Sequence, residues 1–159
     1  MIRLLALFSL LTATSLSAKD SLGVFSEWAA FRDAETPRCY AIAQATSERE
    51  PRGHASIGTW PARKVRGQLH MHLSRPVKAG ARVRLSVGNQ RFDLMAQGRD
   101  AWATDKAMDA AVIAAIRSAT RMSVSARASN GRRFTDRYSL EGAATAMDAA
   151  VVGCAELEP

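Results

Sequence analysis

Residues 82–96 alternate apolar and polar side chains on both sides of Gly88-Asn89, and that pattern admits few folds. Period-two alternation sends successive side chains to opposite faces of a strand. Counting outward from a two-residue Gly88-Asn89 turn pairs Leu85 with Phe92 and Val83 with Leu94 on one face. The other face pairs Arg84 with Asp93, opposite charges across the ladder. An isolated hairpin is marginal in water, so this one predicts more sheet around it.

A second hairpin is predicted around Asn130-Gly131. A two-residue turn there would set Val124 opposite Arg137 and mix apolar with polar faces. Adding one residue, with Gly131 left-handed in a bulge, sets Met122 opposite Tyr138 and Ala126 opposite Phe134. The hydrophobic pattern selects the longer loop.

Other strands are expected at Phe25 to Arg32, Cys39 to Thr46, His54 to Trp60 and Gln68 to Ser74. In the last of these, Leu69, Met71 and Leu73 share one face, and Gln68, His70, His72 and Ser74 the other. A basic loop, Pro61 to Gly67, precedes it. Thr104 is placed to cap a helix from Asp105 to Ser118, with Ala107, Met108, Ala111, Val112, Ala115 and Ile116 at helical spacing. A final Ala-rich segment, Gly142 to Val152, is apolar nearly all round and predicts a short buried helix leading to Cys154. The fold class is therefore mainly β: sandwich-like, with one central helix and one short C-terminal helix.

The first 18 residues read as a signal peptide. Arg3 is followed by apolar Leu4 to Leu11, and small Ser15 and Ser17 suit cleavage after Ser17 or Ala18. These eight residues extend only about 12 Å as a helix, against a bilayer core of about 30 Å. The rest of the chain, residues 19–159, suits one domain. The two cysteines, Cys39 and Cys154, read in an oxidising compartment as a disulfide, with free thiols or a redox pair as alternatives. Redox motifs usually set their cysteines two residues apart, unlike these.

The charge is uneven. Residues 51–137 carry 17 Lys/Arg against 5 Asp/Glu, whereas residues 138–159 carry 4 acids and no base. Such a bias suits an anionic surface, and an exported protein meets lipid head groups or acidic glycans rather than nucleic acid. The bulged register of the second hairpin gathers Arg121, Arg127, Arg133 and Arg137 on one face as candidate anion-binding residues, with Arg127 directly opposite Arg133. The plainer reading is a solvated face whose arginines reach Asp136 or Glu141.

Catalytic patterns are absent from the sequence. It has no Gly-x-Ser-x-Gly elbow, phosphate loop or dinucleotide fingerprint, and a bridged pair leaves no cysteine nucleophile. His70 and His72 share a strand face, with His54 as a conceivable third zinc ligand, but no Cys or carboxylate flanks them. They read as exposed strand histidines, and no metal or cofactor is expected. Glu48/Glu50 and Asp105/Asp109 read as loop and helix-surface acids. The aromatics, Trp28, Trp60, Trp102, Tyr40 and Tyr138, read mostly as core, with a carbohydrate-binding platform as the alternative.

Phe25-Ser26-Glu27-Trp28 with Cys39-Tyr40 beyond it resembles the opening of the invasion-associated locus B family of α-proteobacterial exported proteins. Similarity continues through Ala101-Trp102, the central helix, Met122-Ser123-Val124 and Asp136 to Gly142, to the Ala-rich close at Cys154. The resemblance implies a β-sandwich-like periplasmic or outer-membrane-associated protein. It supplies no catalytic residues. Some family members are linked to host-cell invasion, and many belong to free-living bacteria. With no cysteine between Cys39 and Cys154, this chain would be a divergent, minimal member. The expectation is a non-enzymatic envelope protein, peripheral to a membrane, that binds an anionic component. The rival is an envelope hydrolase, or an inhibitor of an envelope enzyme.

Overall fold

The computed structural model describes residues 19–47, 50–155 and 157. The signal peptide expected at residues 1–18, with its expected cleavage site, and Glu48 lie outside the described residues. Ten strands run in chain order: β1 Asp20–Phe25, β2 Trp28–Asp33, β3 Arg38–Gln44, β4 His54–Trp60, β5 Val65–His72, β6 Val83–Val87, β7 Gln90–Gln97, β8 Asp100–Trp102, β9 Arg121–Arg127 and β10 Arg133–Ser139. Two helices complete the chain, α1 Lys106–Ser118 and α2 Ala143–Ala155. The fold is mainly β, with a central and a C-terminal helix.

The strands form one antiparallel sheet in the order β1-β2-β3-β4-β5-β8-β7-β6-β9-β10. β7 turns the sheet over. Its first half pairs with β6 (Val83 with Leu94) and its last three residues with β8 (Met95 with Trp102). The sheet thus curls into two facing layers, and β10 returns beside the start of the chain. There Trp28 Nε1 donates to the Ser139 carbonyl at 2.9 Å, and the Thr46 amide donates to the Arg137 carbonyl at 2.8 Å. Edge groups of β10 are thereby covered, which limits unwanted strand pairing.

Between the layers lie Leu69, Met71, Leu73, Val83, Leu85, Val87, Met122 and Val124, all buried. Over β2 and β3 the inner face is small: Ala30, Cys39, Ala41 and Ala43. Ala143, Ala146 and Ala150 of α2 pack on it, alanine against alanine, so the helix lies close to the sheet. Cys154 at the end of α2 is bonded to Cys39 in β3, with 5.6 Å between the Cα atoms.

Both predicted hairpin registers are present. Leu85 faces Phe92 and Arg84 faces Asp93, across a turn in which Gly88 takes φ 54° while Asn89 keeps negative φ. Met122 faces Tyr138 and Ala126 faces Phe134, with Gly131 at φ 82° in the three-residue loop.

Other elements differ from the sequence reading. Phe25 to Arg32 is not one strand. Ser26, at φ 51°, opens a tight turn that makes Phe25 and Trp28 cross-strand partners. The helix cap is Asp105, not Thr104: its carboxylate accepts from the Met108 amide at 2.8 Å. The buried stripe of α1 is Asp109, Val112, Ala115 and Ile116, leaving Ala107 and Ala111 exposed. Asp109 is therefore not a surface acid. β8 ends at Trp102, so the amide of Leu69 beyond it has no strand partner and donates to Asp109 Oδ1 at 2.9 Å.

Candidate functional site

The outer face of β7-β6-β9-β10 gathers arginine and hydroxyl groups because every second residue there is polar. Cross-strand pairing sets them in rows: Arg91, Ser86, Ser123, Arg137, then Asp93, Arg84, Ser125, Thr135. Arg121 pairs with Ser139 at one end, and Arg127 with Arg133 at the other. All four candidate arginines, Arg121, Arg127, Arg133 and Arg137, are exposed on this face. The acid within it, Asp93, is shared by Arg84 at 3.4 Å and Arg82 at 3.7 Å.

The nearby acids do not neutralise the quartet. Asp136 is buried and accepts from the amide and hydroxyl of Ser74, and Glu141 accepts from Ser26 Oγ at 3.4 Å. Arg127 donates to the Gly131 carbonyl at 2.7 Å. Among the described residues, Arg121, Arg133 and Arg137 have no acidic partner. A depression of about 570 Å³ is bounded by Arg82, Arg84, Arg127, Arg133 and Thr135. Beside it, one of about 340 Å³ is bounded by Arg75, Arg132, Arg133, Asn130 and Asp136. Arg133 stands between the two. Uncompensated guanidinium groups flanked by hydroxyls offer the forked donors that phosphate, sulfate and carboxylate accept.

The histidines gather on the outer face of β4, β5 and β8. His54 pairs with His72 across β4 and β5, their rings stacked at 5.1 Å. His70 Nε2 and His72 Nδ1 each lie 3.0 Å from Asp100 Oδ1. Hydrogen bonding from His72 holds the Asp100 carboxyl below the usual range, so it accepts from both imidazoles. Burial, with the neighbouring His72 and His70, lowers His54. The local sequence offered these histidines no carboxylate; β8 brings one from about thirty residues away. Among the described residues no group of three or more His, Cys, Asp or Glu side chains converges as a metal would need.

Tyr138 stands apart. Its hydroxyl is buried without a hydrogen-bond partner, and burial, then the Asp136 charge, raises its pKa. The ring fills the core next to β9, and the hydroxyl lies near the backbone of Gly53.

The profile of the invasion associated locus B (IalB) proteins matches residues 28–151. The chain belongs to that family. Its fold resembles the crystal structure of invasion associated protein B from Bartonella henselae, with a TM-score of 0.64 and 15% identity. That likeness covers 86% of this chain and 97% of the other. No curated protein matches the sequence.

Within this family frame, the arginine quartet and the disulfide sit where the sequence placed them, and the histidine–Asp100 cluster and the outward aromatics were missed. Of the five aromatics read mostly as core, only Trp28 and Tyr138 are buried; Tyr40, Trp60 and Trp102 are partly buried on the outer face. A glycine two residues before Trp60 was the available signal. A side chain at Gly58 would run into the Trp60 ring, so the indole covers that position.

Proposed function

We infer that this family member is an exported envelope protein that works by binding, docking its arginine-rich sheet face on clustered anionic groups of an envelope or host component. One observation carries the reading: Arg121, Arg133 and Arg137 share one sheet face with Arg127 and lack acidic partners among the described residues. Like charges set directly opposite, as Arg127 and Arg133 are, destabilise a hairpin unless they splay, as Arg127 does toward the Gly131 carbonyl, or share an anion. The leader-like first 18 residues and the oxidised cysteine pair support a periplasmic or outer-membrane-associated location.

Two measurements test this. The double variant Arg127→Glu, Arg133→Glu should lose most retention on heparin and on vesicles containing anionic lipid, and parent binding should weaken steeply with salt. Unchanged, salt-insensitive binding by the folded variant refutes docking through this face. Which probe binds distinguishes lipid phosphate from acidic glycan. Intact mass of the protein from the envelope fraction should show a chain starting at Ala18 or Lys19. A full-length chain in the inner membrane refutes export by cleavage.

A further inference from the structure

The other half of the outer surface has a different chemistry. Across β2, β3 and β4 lie Phe31, Tyr40 and the Trp60 ring over Gly58, with Gln68 next on β5. Phe31 and Tyr40 have ring centroids 5.7 Å apart, and the Arg38 guanidinium lies 5.1 Å from the Tyr40 centroid. The neighbouring row runs Val24, Ala29, Ile42, Ser56, His70, Trp102, Met95 across seven strands. Its ends are open, Val24 at 73% and Met95 at 50% exposure.

We propose that this face is a stacking platform for a neutral polysaccharide chain, with Trp60 and Trp102 as two rings that each hold one sugar of the same chain. Three features select that ligand. The Trp60 ring lies over Gly58, close against the strand, so it is held at the surface rather than projecting as a knob. A protein partner is usually gripped by aromatic knobs seated in pockets, whereas the slightly positive C–H face of a pyranose sits on the negative face of an aromatic ring. Hydrogen-bonding groups without net charge are interleaved with the rings: the exposed Gln68 amide, Ser56 and Gln44. Two charged groups within the face already have partners. Arg38 lies 3.6 Å from Asp33, and Asp100 takes both His70 and His72. An uncharged partner therefore fits here, as an anionic one fits the arginine face.

The spacing sets the size. Gly58 and Trp102 sit two strands and two residues apart, about 12 Å by ordinary sheet dimensions. That is wider than one sugar ring, so the ligand is a chain of several. The two faces are separate, so this proposal stands independently of anion docking.

The test titrates the oxidised protein with neutral β-linked hexasaccharides, chitohexaose and cellohexaose, followed by tryptophan fluorescence and calorimetry at low and high salt. At least one should bind with an affinity that salt leaves unchanged. Trp60→Ala and Trp102→Ala should each weaken it tenfold or more, with circular dichroism unchanged. Gln68→Ala, a change at an exposed position that spares the fold, should weaken it severalfold. The Arg127→Glu, Arg133→Glu protein should bind these sugars as the parent does. Absence of binding by both hexasaccharides at millimolar concentration overturns the proposal. So does concentration-dependent dimerisation that Trp60→Ala abolishes, since the face would then serve a second copy of the chain.

Discussion

Asp109 shows how one residue repairs a defect in the sheet. The amide of Leu69 is left over where β8 stops, and the Asp109 side chain reaches from α1 to accept from it. The same position is buried, and burial outweighs that hydrogen bond, raising the carboxyl above its ordinary value. The folded chain therefore holds the Asp109 proton more tightly than the unfolded chain does. Its favourable contribution is full below the ordinary carboxylate range and is lost as pH rises through the raised folded value. Asp109→Asn keeps an oxygen for the Leu69 amide and cannot ionise. Urea unfolding of both proteins between about pH 4 and about pH 7 should show the variant gaining on the parent as pH rises. A constant difference would mean that Asp109 ionises alike in both states. The sequence could not show this residue's role, because helical spacing alone did not reveal that β8 ends after three residues.

Elements were legible where their partners are neighbours in the chain. Both Gly-containing hairpins could be registered residue by residue, since their faces only make sense in one alignment. The β1-β2 hairpin was hidden because its turn is Ser26-Glu27, with none of the glycine or asparagine that usually marks a tight turn. β8 was hidden by brevity. The outward turn of Trp60 was hidden for another reason: strand parity sets it opposite Ala55 and Ile57, and the sequence did not show which of the two faces is the buried one. The second hairpin allows a clean check of its loop. Gly131 is left-handed, and a side chain added there would meet nothing within 4 Å. Gly131→Ala should therefore cost only the backbone term, about 1–2 kcal/mol, seen as a lowered urea midpoint with an unchanged slope. A change in slope would instead indicate a shifted register. Heparin retention of the folded variant should persist, because the arginines keep their rows.

For the molecule as a whole, strand order was the part that could not be read. Alternation shows which residues share a face and not that β8 and β7 fall between β5 and β6, a choice made by how the layers close around one core. The long-range tie that could be read is the cysteine pair. Cys39 in β3 and Cys154 in α2 are separated by 115 residues, so the bond closes nearly the whole domain into one loop. In the chain-entropy picture such a closure stabilises by about 4–5 kcal/mol, and measured values often fall below this. It also ties down α2, whose other holds are its buried alanines and Met147 and the Arg117–Asp148 ion pair at 2.6 Å. α2 comes after the last strand and covers β2 and β3 through small alanine contacts, which individually contribute little. Reduction, or Cys154→Ser, should therefore lower the urea midpoint markedly. Amide exchange should rise first in Ala143–Ala155, where the helix frays from the sheet, while β5, β6 and β9 in the core stay protected. Peptide mapping without reduction should recover the Cys39 and Cys154 peptides joined. An unchanged midpoint, or two thiols that label freely in folded protein from an oxidising compartment, would show that the domain holds α2 without the bond.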